Sequence, residues 1–380
     1  MQALKIVFLC GSLELGRDGV GDYVIRLSIE LARKGHHIVA IALNDHYINE
    51  SYVGNEIAEG ANLKIVRLPS IWSFNDRFDH AKHWVNKSNP DWLSLQFVPF
   101  AFHEKGLPFS LTNQLLKLGF KRKWHVMFHE LWVGMNEESS FKYIVWGKVQ
   151  RYLIKSLITE LKPLVVHTQT ALYQTYLERM HYKCRLLPLF SNIPNSGEYD
   201  YNSSPERHPK QDIKLVAFGY IHPRAQIEML AKDASSYAAQ HLCSVTLILA
   251  GRSGPELDYW ASSWQAVGLP VSITGEQSPE AISDILRSAT LGLTTTPLAL
   301  IGKSGTVAAM REHRLLVLCV ASPWTALGVD NPLAPPDVFS YEYGRFASYL
   351  RERPCQSSYS TLSAVAQQFI DSLAAFNGVK

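Results

Sequence analysis

The sequence predicts an α/β protein built from two consecutive doubly wound domains. Short Val/Ile/Leu runs alternate with helix-period stretches along almost the whole chain. The alternation breaks once, at a polar stretch rich in Pro, Asn and Ser over residues 191–212, which reads as a linker. A length of 380 residues suits about two such domains.

The first domain is expected over residues 1–190. Its strand-like runs are Ile6–Cys10, Ile38–Leu43, Leu63–Leu68, Leu93–Val98, His125–Phe128 and Leu164–His167. They are nearly continuous in apolar residues, the mark of parallel strands covered on both faces. Gly21–Lys34 has the clearest helical period, with Val24, Leu27 and Leu31 on one face and Gly35 as its stop. Phe141–Lys162 is a second long helical candidate. The next domain is expected over 213–355. Its strands are Lys214–Phe218, Val245–Ala250, Val271–Thr274, Leu291–Thr295 and Leu315–Val320. Helices Ala225–Gln240, Glu256–Val267, Pro279–Ser288 and Thr306–His313 separate them. Within 356–380, Thr361–Phe376 reads as a helix able to pack back on the first domain.

Composition excludes several classes. Hydrophobic residues make up 47% and charged residues 19%, which suits a globular chain with sizeable cores. A net charge of +3 is too mild for a nucleic-acid binder, whose basic residues cluster. The five cysteines are scattered without a Cys-x-x-Cys pair, so they read as buried thiols of a reducing compartment. The first strand begins at once, with too short an apolar run for a signal peptide, and no run reaches the ~20 apolar residues of a membrane span. A cytoplasmic location follows as an expectation.

Chemistry concentrates near residue 300. A strand stopped by Pro297 leads through a short apolar loop to Gly302-Lys303-Ser304-Gly305-Thr306, and a helix opens at once. The first N–H groups of a helix lack internal partners and carry the positive end of its dipole. Glycines allow close approach, Lys303 adds a charge, and Ser304 and Thr306 add hydroxyls, so a diphosphate fits. An ordinary Ser N-cap beside a surface lysine is the plainer reading. A Walker A loop is excluded, because Pro297 stands where its first glycine belongs. In open α/β sheets ligands sit at the carboxyl ends of strands. That rule singles out the loops 11–21, 219–224, 251–254 and 275–278, and the His129-Glu130 corner. Gly19 and Gly21 precede a helix, but Val24 breaks a dinucleotide fingerprint. His129, at the end of a strand, could donate to an anion or shuttle a proton, or could simply be packed. Phe141–Lys162 mixes aromatics with Lys142, Lys148, Arg151, Lys155 and Lys162. With Lys121-Arg122-Lys123-Trp124 it could face an anionic membrane carrying a lipid-linked acceptor. The plainer reading is a core helix with a solvated basic face.

Taken in order, these segments resemble the GT-B glycosyltransferases, in particular the large retaining group that uses nucleotide-sugar donors (glycosyltransferase family 4-like). Gly19-Val-Gly21-Asp-Tyr-Val-Ile-Arg-Leu is similar to that group's first loop and helix, and Val165-Val166-His167-Thr168 to a late strand of its first domain. Lys214-Leu-Val-Ala-Phe-Gly219, Leu247-Ile-Leu-Ala-Gly251 and Val271-Ser-Ile-Thr-Gly275-Glu-Gln-Ser-Pro-Glu resemble its second domain. The resemblance implies two facing Rossmann-like domains with a cleft between them, the acceptor on the first and the donor on the second. It also implies transfer without metal or cofactor, from a nucleotide sugar to an unidentified saccharide, lipid-linked or small-molecule acceptor. Donor contacts would come from Gly19, Val20, Gly21, Gly219, Arg224, Gly275, Glu276, Lys303, Ser304, Gly305 and Thr306. His129 and Lys303 would be catalytic. The group's usual Glu-x7-Glu pair is missing: Leu300 and Ala308 stand at those positions, and Glu312 is not an obvious substitute. After Gly219 the group's Arg and Lys are replaced by Tyr220 and Ala225, with Arg224 adjacent. Two other readings keep the fold: a catalytically silent nucleotide-sugar-binding partner subunit, and a nucleotide-sugar epimerase.

Overall fold

The computed structural model describes residues 3–58, 60–119, 121–195, 212–352 and 360–376. The chain divides into two compact units. One takes in Met1–Pro188, Ala326–Asp330 and Leu362–Lys380, and the other Leu189–Thr325 and Asn331–Thr361.

The first unit runs β1 (Lys5–Cys10), α1 (Gly19–Arg33), β2 (His37–Asp45), β3 (Tyr52–Ala58), β4 (Ala61–Pro69), α2 (Phe74–Ser88) and β5 (Trp92–Phe97). It continues through α3 (Pro99–Phe102), α4 (Leu111–Leu118), β6 (Lys123–Phe128), α5 (Phe141–Leu161), β7 (Val165–Thr168), α6 (Ala171–Arg179) and β8 (Arg185–Leu186). The sheet order is β3-β4-β2-β1-β5-β6-β7-β8. Every pairing is parallel except β3 with β4. That antiparallel edge strand was not expected. Tyr52, Val53 and Asn55 are exposed, so no buried apolar run announces it.

The second unit runs β9 (Ile213–Phe218), α7 (Ile227–His241), β10 (Val245–Ala250), α8 (Leu257–Gln265), β11 (Val271–Gly275) and α9 (Pro279–Ser288). Then follow β12 (Leu291–Thr294), a 3-10 turn (Leu298–Lys303), α10 (Gly305–Glu312), β13 (Val317–Cys319), β14 (Val338–Ser340) and α11 (Phe346–Tyr349). Its order, β11-β10-β9-β12-β13-β14, is wholly parallel. Counted within the unit, that is 3-2-1-4-5-6, the doubly wound order whose switch point lies between the first and fourth strands. The switch point is therefore β9/β12. Apolar side chains cover both sheet faces: Trp260, Trp264 and Leu230 on one, Met310, Val307 and Leu286 on the other. The expectation of two Rossmann-like α/β domains holds.

Three local expectations change. The segment after Pro297 is the 3-10 turn rather than a loop, and β12 ends at Thr294. The second unit does not keep all of the residues between its strands: Ala326–Asp330 belongs to the first. A bridge Asn136–Ala326, the Leu327 N–H to Met135 carbonyl bond of 2.7 Å and the Tyr176 hydroxyl on the Leu327 carbonyl at 3.0 Å hold it there. Most of the expected linker, residues 196–211, lies outside the described residues. The last helix, α12 (Leu362–Ala374), packs within the first unit, where Phe369 stacks on Phe8 at 5.7 Å.

Candidate functional site

At the second unit's switch point, the loops after β9 and β12 meet the first turn of α10, and the loops after β10 and β11 lie alongside. Gly219 ends β9 at φ +79°, a conformation that L side chains rarely adopt, and a Cβ there would stand 2.9 Å from Thr306 Cγ2. Glycine thus lets the end of β9 lie directly against α10. Gly251 follows β10 at φ +78°, with Gly219 N 3.4 Å from where its Cβ would be. The Gly251 N–H donates to the Gly275 carbonyl at 2.7 Å, joining the β10 and β11 ends. Across the switch point, the His222 N–H donates to Thr295 Oγ1 at 2.9 Å.

Ser304 is the N-cap of α10: its Oγ accepts from the Val307 N–H at 3.4 Å. The same oxygen lies 3.1 Å from Thr306 Oγ1 and 3.4 Å from Thr296 Oγ1, so three hydroxyls line this turn. The plain capping reading of Ser304 is thus correct, and the hydroxyl cluster comes with it. Lys303 is half-buried at the end of the 3-10 turn. Its charge is felt by His222, whose imidazole is held below the usual histidine range, first by desolvation and then by the Lys303 cation. Lys303 and His222 therefore share one neighbourhood. Tyr220 meets the His222 ring edge-on at 5.2 Å.

Not every expected donor residue joins them. Arg224 is exposed, sits at φ +63°, and its carbonyl accepts from Ser322 Oγ. No contact of its guanidinium with the cradle is present among the described residues. Glu276 pairs with Arg252 at 3.6 Å, both largely exposed, on the rim formed by the β10 and β11 loops. Beneath that rim, Ser253 Oγ and Thr274 Oγ1 are buried hydroxyls with no protein partner among the described residues. His222, Ser253 and Arg252 lie in loops that the sequence singled out, and Thr295 in an expected strand, but none was named individually as a donor contact. The His-Pro dipeptide three residues past a glycine-ended strand was the one available signal.

In the first unit the expected anion cradle is filled by the chain itself. The Asp18 carboxylate caps α1, accepting from the Val20 N–H at 2.9 Å and the Gly21 N–H at 3.3 Å. Burial raises its pKa, and those two backbone donors counteract the rise. Gly21 is required by packing, because a Cβ there would meet the Ser12 carbonyl at 2.9 Å. The Val20 and Gly21 amides expected to meet a phosphate are therefore taken up by the Asp18 cap, and Gly19–Gly21 open a self-capped helix. That loop is acidic. Asp22 accepts from the Gly16 N–H at 2.8 Å, and Arg67 ties Glu14 to the fully buried Asp45, with Nε to Oδ2 at 2.7 Å. Carboxylates suit sugar hydroxyls better than phosphates.

His129 is only 5% exposed, so it is no open ring at a strand's end. Its Nε2 donates to Gln96 Oε1 at 2.9 Å and its edge meets Tyr23 at 5.0 Å. From there a buried chain continues. Gln96 Nε2 donates to Ser94 Oγ at 2.8 Å, Ser94 Oγ lies 2.7 Å from His125 Nδ1, and His125 Nε2 lies 3.1 Å from His167 Nδ1. If Ser94 donates onward, every bond runs in one direction, and His167 Nε2 ends the chain without a partner among the described residues. His129 thus heads this buried chain at the end of β6.

No protein-family model matches the sequence, and no curated protein matches it either. Solved structures do. Sucrose-phosphate synthase from Thermosynechococcus elongatus aligns with a TM-score of 0.60 at 16% identity, over 83% of this chain and 80% of that one. Anabaena HepE, crystallised with UDP and glucose, gives 0.58 at 12% identity, over 98% of this chain and 100% of that one. The UDP-forming α,α-trehalose-phosphate synthase of Burkholderia xenovorans, crystallised with glucose-6-phosphate, gives 0.57 at 9% identity, over 98% and 100%. The fold is GT-B. At these identities the likeness carries architecture, and the chemistry of this GT-B chain must come from its own residues.

Proposed function

We propose that the chain is a glycosyltransferase that moves a sugar from a nucleotide-diphosphate donor to an acceptor, with the donor held by the second domain. The observation that carries this is the convergence of Gly219, Lys303, Ser304 and Thr306 on the first turn of α10 at the β9/β12 switch point. Backbone donors at a helix start, hydroxyls and a half-buried ammonium suit a pyrophosphate. The buried, unpaired hydroxyls of Ser253 and Thr274 are proposed to meet the base and ribose. Glycosyl transfer builds negative charge on the leaving phosphate, and fixed donors aimed at it favour the transition state over the ground state. Transfer is proposed to be metal-independent and retaining, the leaving phosphate itself taking the acceptor proton. His129 is proposed to contact the sugar or the reacting oxygen, and the acidic first loop to bind acceptor hydroxyls.

Uridine diphosphate is the first probe, because HepE was crystallised with it and the trehalose-phosphate synthase is named for forming it. A ligand that binds only the folded state raises the melting temperature. UDP or a UDP-sugar should do so, and Lys303→Ala should lose most of the shift. Indifference to every nucleoside diphosphate and nucleotide sugar would overturn the assignment. Leu300 and Ala308, in place of acidic residues, favour a second reading: a donor-binding subunit that does not turn over. Tight donor binding, with release of nucleoside diphosphate appearing only when another protein is added, would establish that reading instead.

A further inference from the structure

Helix α5 buries one stripe: Gly147, Gln150, Ile154, Leu157, Ile158 and Leu161. The opposite stripe of a surface helix is ordinarily polar. Here it carries Phe141, Val145 and Tyr152, at i, i+4 and i+11, and Phe141 is 81% and Tyr152 69% exposed. So much aromatic surface on one face marks an interaction site. Beside it runs an apolar groove of about 380 Å³, lined by Leu107, Phe141, Val145, Trp146 and Val149, with Lys142 on its wall. The groove is built in advance. Trp146 Nε1 donates to the Lys105 carbonyl at 2.9 Å, and Gln150 Nε2 donates to the Gly106 carbonyl at 3.1 Å, fixing the 103–110 loop to the helix. Phe109, two residues past Leu107 on that loop, is 62% exposed.

Charge decides what covers this face. Lys142, Lys148, Arg151 and Lys155 are all exposed on the same helix, whose lone acid is Glu160. Lys142 lies over Trp146 at 5.9 Å and Arg151 over Trp132 at 5.7 Å. Three of the four cations are lysines, which are depleted at protein–protein interfaces. Aliphatic walls offer nothing to a nucleic-acid base or phosphate but accept acyl chains. Aromatic and aliphatic side chains flanked by lysines are the pattern of a helix that lies in a membrane interface. We propose that this face of α5, with the 103–110 loop, seats on an anionic lipid surface, with Phe141, Val145 and Tyr152 at the acyl boundary and the lysines at the headgroups. The plain reading of α5 as a core helix with a solvated basic face accounts for its buried stripe and leaves the exposed aromatics unexplained.

The test is sedimentation of the full chain with phosphatidylcholine vesicles, with and without about 30% phosphatidylserine. Binding should need the anionic lipid and weaken with salt. Lys142→Gln, Lys148→Gln and Lys155→Gln should each weaken it about fivefold. Phe141→Ser with Tyr152→Ser should abolish it. Both residues are exposed, so folding, checked by circular dichroism, and the UDP thermal shift should not change. Equal sedimentation with neutral vesicles, or none with either kind, would overturn the proposal. So would a dimer, or an RNA complex, that the same substitutions dissolve.

Discussion

Lowering the pH should destabilise the first domain well before its carboxylates titrate, because His125 and His167 are buried as neutral rings. His125 is 1% and His167 0% exposed, and they share a 3.1 Å hydrogen bond. Burial, then each other's charge and that of His129, holds His125 far below the usual histidine range. Burial, then Arg185, holds His167 down at about 4. In the unfolded chain both titrate near 6.5. A depressed folded-state pKa means that stability is fully present above the unfolded value and is lost as pH falls toward the folded one. At pH 5 the loss for His167 is therefore about 1.5 units at 1.36 kcal/mol each, or about 2 kcal/mol. With an equal loss for His125, the pair costs roughly 4 kcal/mol, a large share of an ordinary domain's 5–15. Urea midpoints measured by tryptophan fluorescence from pH 7.5 to 4.5 should fall for the transition of the first domain, with a slope near two protons between pH 6 and 5. In His167→Gln the slope should drop by about one proton whatever the variant's stability at pH 7. A flat wild-type profile, or ring ¹⁵N shifts that titrate near 6.5, would refute the buried neutral pair.

Other outcomes follow from the geometry. Lys303→Ala should reduce turnover by about two to three orders of magnitude while leaving the melting temperature nearly unchanged, as for the loss of one oxyanion donor; wild-type rates would remove Lys303 from the site. Gly219→Ala places a methyl 2.9 Å from Thr306 Cγ2 at a positive φ. It should cost about 1 kcal/mol or more of stability and weaken donor binding, read by calorimetry and titration. His222 is held below its usual pKa partly by Lys303. A bound diphosphate would reverse that field, so UDP should bind with proton uptake and more tightly as pH falls through 6.5 toward the folded value. Calorimetry in buffers of different ionisation enthalpy would show it. Arg67→Ala removes the cation from the Asp45 carboxylate, which has 0% side-chain exposure and keeps only two backbone donors, the Leu13 N–H at 3.2 Å and the Tyr47 N–H at 3.0 Å. It should destabilise the first domain by about 3–5 kcal/mol, read as a lower urea midpoint.

The architecture was legible because parallel strands buried on both faces write themselves as continuous apolar runs. Ile6–Cys10 and Val245–Ala250 are such runs, and the first helix between them has a clear stop at Gly35. What escaped was structure whose side chains do not see a core on both sides. The edge strand β3 is half polar and exposed, and β14 is three residues long. The Ala326–Asp330 excursion is held largely by backbone carbonyls and amides, which any residue supplies equally.

At the candidate site the division is different. The glycine-ended strands, Lys303 and the Ser304 turn were visible because their chemistry is local: a strand, a few residues and a helix start. What the sequence could not state is which donors remain available once the fold has satisfied its own. Gly19–Gly21 and Gly302–Thr306 look alike as strings, each a glycine pair before a helix. One is preceded by Asp18, whose carboxylate turns back onto the helix start and occupies the amides an anion would need. The other is capped by Ser304, a neutral hydroxyl that accepts one bond and brings Thr296 and Thr306 beside it, with a cation adjacent. A carboxylate cap repels a phosphate where a hydroxyl cap can share it. One residue type at the N-cap therefore separates the two loops, and it is why the proposed phosphate site lies in the second domain. Asp18→Ser is the converse experiment. It should remove the competing charge and let inorganic pyrophosphate stabilise the first domain in a thermal shift that the wild-type loop does not give. A wild-type first domain already stabilised by pyrophosphate would show that the cap carboxylate does not exclude anions.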